Sequence, residues 1–204
     1  MARIQGVPQD QAGPIVRLVY RFMRRGMKKL TGRQPAHGSG IEPVEIWAHQ
    51  PKMMSAMGKF QGAVRKGDTV DERLKYLVEL KGSQMIGCEW CLDFGSFLAQ
   101  RAGTPEAKLR ELSVWRESGR FDDRERLVLE YAEAMTRTPA EVSDGLFASL
   151  RERFDERQMV ELTMAIAIEN LYSRSNWAFG LEGEGYSEGS YCVRPETDGR
   201  AVAA

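Results

Sequence analysis

Residues 74–94 read LKYLVELKGSQMIGCEWCLDF, and this stretch predicts two helices that meet at a glycine. Leucine and valine recur at helical spacing in its first half. Gly87 interrupts that pattern, and a second helical segment runs from Cys88 to Ala102. The sequence therefore places two cysteines, three residues apart, at the start of a helix.

Helical patterns continue on both sides of this stretch. Two pairs have capping-box spacing, Asp122 with Glu125 and Asp155 with Gln158, and the second opens the longest helix. Thr104, followed by a proline and a glutamate, predicts a further helix start in which the threonine is the capping residue. No segment alternates apolar and polar residues as a strand does, so we expect an all-α, multi-helix bundle.

Composition and charge narrow the functional classes. The chain has 204 residues with zero net charge, 42% hydrophobic and 28% charged residues, which is typical of a globular protein. No apolar run approaches the ~18 residues of a membrane span, and no secretory signal or nucleic-acid motif is recognisable. We therefore expect a cytoplasmic protein with no membrane span and no nucleic-acid partner.

Three regions differ in pattern. Residues 1–43 combine a basic amphipathic helix with a linker rich in glycine and proline, residues 44–182 form a helical domain, and residues 183–204 predict a flexible tail or an arm on a partner subunit. Residues 1–33 hold eight Lys or Arg against one acid, Asp10. This basic helix could bind phosphates or lipid headgroups, but docking on an acidic neighbouring subunit or a solvated face is favoured.

The spacing of Cys88 and Cys91 favours redox chemistry. Unpaired N–H groups at a helix start stabilise a thiolate, and residues three apart on a helix lie close enough for a disulfide. Two alternatives remain: a chance pair of buried cysteines, and a zinc site. Zinc would need two more ligands from His37, His49 and Cys192, whose spacing matches no known zinc motif. We expect no bound metal.

The same stretch resembles the helix pair of the carboxymuconolactone decarboxylase superfamily, which includes alkylhydroperoxidase D. Residues 121–180 also follow that family's order of helices, and Asn170, Arg174 and Asn176 in the long helix have its typical spacing. The resemblance covers about residues 44–182. It implies an alkylhydroperoxidase D-like helical fold and homo-oligomers, commonly trimers or hexamers.

The peroxidase branch of the family implies roles for the cysteines. By this resemblance Cys91 attacks the peroxide and Cys88 resolves the product. The branch also uses a histidine four residues after the second cysteine, where this chain has Gly95, and a glutamate at the position of Tyr76. Glu79, one turn later, is a candidate substitute for that glutamate, with solvent exposure or a salt bridge as its alternatives.

These features together predict a thiol-dependent peroxidase or disulfide reductase. It would use Cys91 and Cys88, assisted by Glu79 and Tyr76, and no bound cofactor. Its partners would be a small hydroperoxide and a dithiol protein as electron donor. The missing histidine leaves two alternatives open, a catalytically idle oligomeric protein and a carboxymuconolactone-type decarboxylase. Loss of a general base typically costs ~10²–10⁴ in rate.

Overall fold

A computed structural model describes residues 2–33 and 38–196. Over these ranges the chain is all helical, with no strand, which confirms the predicted fold class. His37, one of the residues weighed as a zinc ligand, lies outside the described residues. The helices, in chain order, are α1 (Pro14–Thr31), α2 (Glu42–Trp47), α3 (Pro51–Arg65), α4 (Glu72–Ile86), α5 (Glu89–Arg101), α6 (Glu106–Arg110), a 3₁₀ turn (Leu112–Val114), α7 (Asp123–Thr136), α8 (Asp144–Arg151) and α9 (Glu156–Phe179).

Most helix starts follow from local capping chemistry. The capping box of Asp122 with Glu125 opens α7 through both reciprocal hydrogen bonds. Asp155 and Gln158 form the same pair before α9. The predicted cap at Thr104 is wrong, because Pro105 itself is the N-terminal cap of α6 and the buried Thr104 hydroxyl has no hydrogen-bond partner among the described residues.

Two compact units divide the chain after Ala63, and Phe179–Leu181 belong to the first unit. In the first unit the basic α1 buries Val16 and Tyr20 against Val44 and Met54. Its opposite face exposes three apolar side chains, Ile15, Leu18 and Phe22. The amphipathic pattern of α1 therefore has one apolar face packed and one exposed.

The second unit is built around α4. Every residue of α4 from Leu74 to Gln84 is buried. Its apolar side chains belong to two core clusters, one shared with α7, α8 and α9 and the other with α5, α6 and α7. A helix buried on all sides must also bury its polar side chains, and each of these needs a partner. The polar residues of α4 therefore define where buried charge collects.

The segment 183–196 packs on α4 and α5 of its own chain. The backbone of Arg194 accepts a hydrogen bond from Gln84 at 2.9 Å, and the N–H of Val193 donates to the Ser96 hydroxyl at 2.9 Å. Val193 is buried in the core. This arrangement differs from the flexible tail that low apolar content predicts, because buried polar groups of the two helices bind the backbone of this segment.

Candidate active site

Cys88 and Cys91 are joined by a disulfide at the junction of α4 and α5. Gly87 ends α4 with a φ of +85°, a conformation that glycine adopts without strain, and its N–H donates to the Ser83 carbonyl. Cys88 is then the N-terminal cap of α5, and Cys91 lies in the first turn. The predicted proximity of the two sulfurs is confirmed.

The two sulfurs differ in surroundings. The sulfur of Cys88 accepts the N–H of Cys91 at 3.2 Å and is almost fully buried, with 1% of the residue exposed. Cys91 is 7% exposed, and its sulfur accepts a hydrogen bond from the amide of Asn176 on α9 at 3.4 Å. The amide oxygen of Asn176 is buried without a hydrogen-bond partner among the described residues. Cys91 is thus the more exposed residue of the pair and the one whose sulfur has a side-chain donor.

Glu79 and Tyr76 lie together on α4, with Arg65 as their shared neighbour. Arg65 donates to the Glu79 carboxylate at 2.8 Å, and its guanidinium lies 5.0 Å above the Tyr76 ring. The Tyr76 hydroxyl donates to Glu72 at 3.1 Å. Within the described residues, neither Glu79 nor Tyr76 makes a hydrogen bond to a cysteine sulfur. Burial raises the pKa of Glu79 above its usual value and the pKa of Tyr76 to about 12.

Glu169 on α9 completes this buried group and was not a candidate from sequence. Its Oε1 accepts hydrogen bonds from the hydroxyls of Ser83 and Ser173, each at 2.7 Å. Burial, and then the negative charge of Glu79, raises the pKa of Glu169 to about 7. The carbonyl of Ser83 accepts the N–H of Cys88 at 3.1 Å, so one serine bonds both to this glutamate and to the cysteine backbone.

One pattern in α9 could have revealed this glutamate. Glu169, Ser173 and Asn176 recur at helical spacing and therefore share one face. That face meets Ser83 and Cys91. Polar residues on the buried face of a long helix indicate an internal partner.

Gly95, at the position of the family histidine, is tightly packed. A side-chain carbon added there would lie 3.0 Å from a terminal methyl of Leu80, a residue that is 1% exposed. The space beyond Gly95 is thus occupied by the core leucine. A histidine at this position would require the Leu80 side chain to move by at least a few tenths of an ångström.

Asp93, the acid two residues after Cys91, binds the segment 183–196. The Asp93 carboxylate accepts hydrogen bonds from the N–H of Tyr186 at 2.9 Å and from the N–H and hydroxyl of Ser187 at 2.8 and 2.6 Å. The Trp90 ring nitrogen donates to Glu184 at 2.7 Å. Two residues of the cysteine helix therefore bind segment 183–196. In the described ranges, no three Cys, His, Asp or Glu side chains are grouped to bind a metal, and no helix is long and apolar enough to span a membrane.

The fold and site define a class: all-helical proteins with a disulfide-forming cysteine pair at the start of an inner helix. The sequence pattern of the Carboxymuconolactone decarboxylase family matches residues 51–134. The uncharacterized protein YnjA of Escherichia coli strain K12 is 36% identical over 151 residues, which cover 73% of this chain and 82% of YnjA. The chain belongs to the carboxymuconolactone decarboxylase family, in its alkylhydroperoxidase D-like superfamily.

Solved structures agree on the fold. One solved structure is of a protein of unknown function from Agrobacterium tumefaciens that has been suggested to be the antioxidant defence protein AhpD. It is 26% identical to this chain with a TM-score of 0.64, and the match covers 67% of this chain and 94% of that chain. The debrominase Bmp8 is 22% identical with a TM-score of 0.74, covering 90% of this chain and 93% of that chain. At that identity the likeness to Bmp8 shows the fold alone.

Proposed function

We propose that this protein is a thiol-dependent peroxidase that reduces small hydroperoxides through Cys91 and Cys88. The proposal rests on one observation, the disulfide between the two cysteines at the start of α5. It is supported by membership of a family that includes alkylhydroperoxidases. Electrons come from a dithiol protein, so the reaction requires no bound cofactor.

The proposed catalytic cycle has three steps. In the reduced protein the Cys91 thiolate attacks the terminal oxygen of the hydroperoxide, the O–O bond breaks, and the alcohol leaves with a proton. The resulting sulfenic acid of Cys91 is attacked by Cys88, which forms the disulfide and releases water. The donor dithiol then reduces the disulfide by thiol–disulfide exchange and is itself oxidised. One hydroperoxide and one dithiol yield an alcohol, water and a disulfide.

The surroundings of the sulfurs support this division of roles. Cys91 is more exposed than Cys88, and the Asn176 amide can stabilise negative charge on its sulfur. Cys88 accepts the N–H of Cys91, an arrangement that stabilises a Cys88 thiolate when the disulfide opens. The donor thiol accordingly attacks Cys91 and displaces Cys88.

The buried glutamates replace the family's histidine as the local proton store in this proposal. Arg65 faces both Glu79 and Glu169, so the two carboxyl groups share one cation, and the pKa of Glu169 rises to about 7. We propose Glu79 and Glu169 as positioning residues that hold a proton near the cysteine backbone, to which Glu169 is linked through Ser83. Tyr76, whose pKa is about 12, stays protonated at neutral pH and positions Arg65 and Glu72.

We further propose a homo-oligomer, as the family implies. One face of α9 exposes three apolar side chains, Val160, Met164 and Leu171. Such a face is favourable to bury against a second copy of the chain. Light scattering coupled to size exclusion should give a trimer or a hexamer, and a monomer at micromolar concentration would contradict this part of the proposal.

The decisive test is consumption of cumene hydroperoxide with dithiothreitol as the reductant. We expect Cys91→Ser to abolish turnover. Pre-reduced Cys88→Ser, freed of dithiothreitol, should reduce one hydroperoxide per chain and stop as a sulfenic acid, because neither Cys88 nor dithiothreitol is then present to reduce it. Cys192→Ser is the matched control, since this partly buried free cysteine lies outside the disulfide and should leave the rate unchanged. Equal rates for Cys91→Ser and wild type would show that Cys91 does not carry the reaction, and an inactive wild type would favour an oligomeric protein without peroxidase activity; either result overturns the proposal.

A further inference from the structure

A cavity of about 480 Å³ opens in the second unit, and one of its lining residues, Ile86, lies two residues before Cys88. It lies at the end of α4, where α7 and α9 approach. Its lining residues are Met85, Ile86, Thr136, Arg137, Arg174 and Trp177. This volume suits a small organic molecule with one or two rings or a short chain.

The cavity is positively charged. Two of its lining residues are arginines and none is acidic. Arg174 donates to two neutral oxygens, the Thr136 carbonyl at 2.7 Å and the Thr138 hydroxyl at 3.2 Å, both from the same nitrogen. Among the residues that the structure describes, no carboxylate lies within ion-pair distance of Arg174. Its remaining N–H donors therefore suit an anionic ligand, and a planar guanidinium binds carboxylates with two parallel hydrogen bonds.

Arg137 adds to this charge, although it is partly neutralised. Its ion pairs with Glu141 at 3.4 Å and Glu133 at 3.7 Å are long. Exposed ion pairs of this kind contribute little and leave the cation available to a ligand.

The apolar lining of the cavity comes from residues close in sequence to groups that contact the cysteine pair. Met85, Ile86 and Trp177 form this lining, and Trp177 is 39% exposed. Ile86 lies two residues before Cys88. Trp177 directly follows Asn176, the residue that donates to the sulfur of Cys91. A side-chain carbon added at Gly87 would lie 3.9 Å from the Trp177 ring, so this ring borders the glycine that precedes the pair.

We propose that the cavity binds the substrate and selects hydroperoxides that have a carboxylate on an apolar body. Arg174 binds the carboxylate, and Ile86 and Trp177 contact the apolar part, which directs the hydroperoxide end towards Cys91. The inference rests on the proposed peroxidase function and adds the chemical class of its substrate. Arg174 is a specificity residue and takes no part in electron transfer.

Two substrates that share the same apolar body test the proposed selection for a carboxylate. Cumene hydroperoxide and its para-carboxy derivative differ only in the carboxylate. We expect wild type to prefer the carboxylate in kcat/KM by about tenfold, as one charge-assisted hydrogen-bond pair would give. Arg174→Gln should reduce this preference to about onefold, and the readout is the ratio of the two kcat/KM values within each variant.

A matched control lies on the same helix. Arg157 is exposed and 17 residues from Arg174, about 25 Å along the axis of α9. Arg157→Gln should keep the wild-type preference. If wild type showed no preference, or if both variants behaved alike, the proposed substrate class would be wrong while the peroxidase proposal stood.

A binding measurement separates the cavity from the chemistry. Calorimetric titration of the disulfide form with 2-naphthoate and with neutral 2-naphthamide needs no turnover. We expect the carboxylate to bind at least tenfold more tightly, and Arg174→Gln to remove that difference. If naphthoate bound in this way but no hydroperoxide were consumed, the proposed function would fail and the anion site would stand. Equal binding of the two probes would overturn the site.

Discussion

Two clusters of charged side chains adjoin α4, and each contains a glutamate with a buried carboxyl group. The pKa of that glutamate is raised in one cluster and lowered in the other. The first, which we term the acidic cluster, consists of Arg65, Glu79 and Glu169. One cation faces two carboxyl groups there, and the pKa of Glu169 rises to about 7. One carboxyl group of the acidic cluster therefore keeps its proton close to neutral pH.

The second, which we term the basic cluster, consists of Lys81, Arg116, Arg137, Glu133 and Glu196. Lys81 is 1% exposed, lies 3.0 Å from Glu133 and is also hydrogen-bonded to Glu196. Arg116 donates to both oxygens of Glu133, at 3.0 and 2.5 Å. Hydrogen bonds from Arg116, Trp115 and Lys81 outweigh burial and hold the pKa of Glu133 at about 2.

The comparison shows that burial alone does not decide the protonation of an inner carboxyl group. The carboxyl groups of Glu169 and Glu133 are both buried beside the same helix. Carboxyl groups outnumber cations around Glu169, so its pKa is raised, whereas cations outnumber carboxyl groups around Glu133, so its pKa is lowered. Only the acidic cluster can exchange a proton at physiological pH. Through Ser83, that cluster is also the one bonded to the backbone of the cysteine pair.

Removing the cation of the basic cluster should have the largest effect. Lys81→Met removes the buried cation that faces Glu133 and Glu196. Because Arg116 still binds Glu133, we expect the free energy of unfolding to fall by about 3 kcal/mol, the lower end for a broken buried ion pair. Urea denaturation at pH 7 with the disulfide intact measures this. The exposed Lys66→Met is the control and should change stability by no more than about 0.5 kcal/mol. A loss for Lys81→Met below 1 kcal/mol would contradict the assignment of a buried ion pair.

Lowering the pH should reduce the free energy of unfolding that the basic cluster contributes through Glu133. Because its pKa in the folded protein, about 2, lies below the usual 4.5, its stabilisation is complete above pH 4.5 and is lost as the pH falls towards 2. We expect about 2.5 kcal/mol to be lost in this window, less than the full shift implies, because Arg116 and Arg137 are 49% exposed. Glu133→Gln should not show this loss, whereas the exposed Glu130→Gln should follow wild type in urea denaturation at stepped pH.

The acidic cluster should give the opposite slope. The pKa of Glu169 in the folded protein, about 7, lies above its usual 4.5, so its contribution is complete below pH 4.5 and is lost as the pH rises through 7. We expect wild type to lose about 2 kcal/mol from this group between pH 4.5 and 8, and Glu169→Gln to lack that decline. The same urea series measures it, and an identical decline in both proteins would assign it to another group.

The smallest effect tests how the proton is held. Ser173→Ala removes one hydrogen bond to the Glu169 carboxylate, which favours the charged form. We expect the pKa of Glu169 to rise by about 1 unit, to be read from a carbon-13 carboxyl titration by NMR. Ser175→Ala, whose hydroxyl donates to the backbone of α9, should leave the titration unchanged.

The fold was predictable because its signals are local. A capping box such as Asp122 with Glu125 has both partners within one turn, and the glycine before Cys88 marks its own helix end. The cysteine pair was predictable for the same reason. Local spacing was not sufficient at Thr104, where the neighbouring proline itself occupies the cap position.

The polar surroundings of the site were not predictable, because their partners are distant in sequence. The sequence shows only that Asp93 is an acid two residues after Cys91, yet its carboxylate binds Ser187, 94 residues away. Glu169 lies 86 residues from Ser83, and an acid on a helix ordinarily indicates a solvent face. Only tertiary packing joins these groups, so spacing along the chain does not reveal them.

The close approach of Gly95 to Leu80 couples the side chains that these two positions can accept. A histidine introduced at position 95 must first displace a core leucine by a few tenths of an ångström or more. Substitution of Leu80 by a smaller residue beforehand removes that obstacle but leaves a void in the core. The order of the two changes therefore determines whether the intermediate protein is strained or underpacked, and neither single change is neutral.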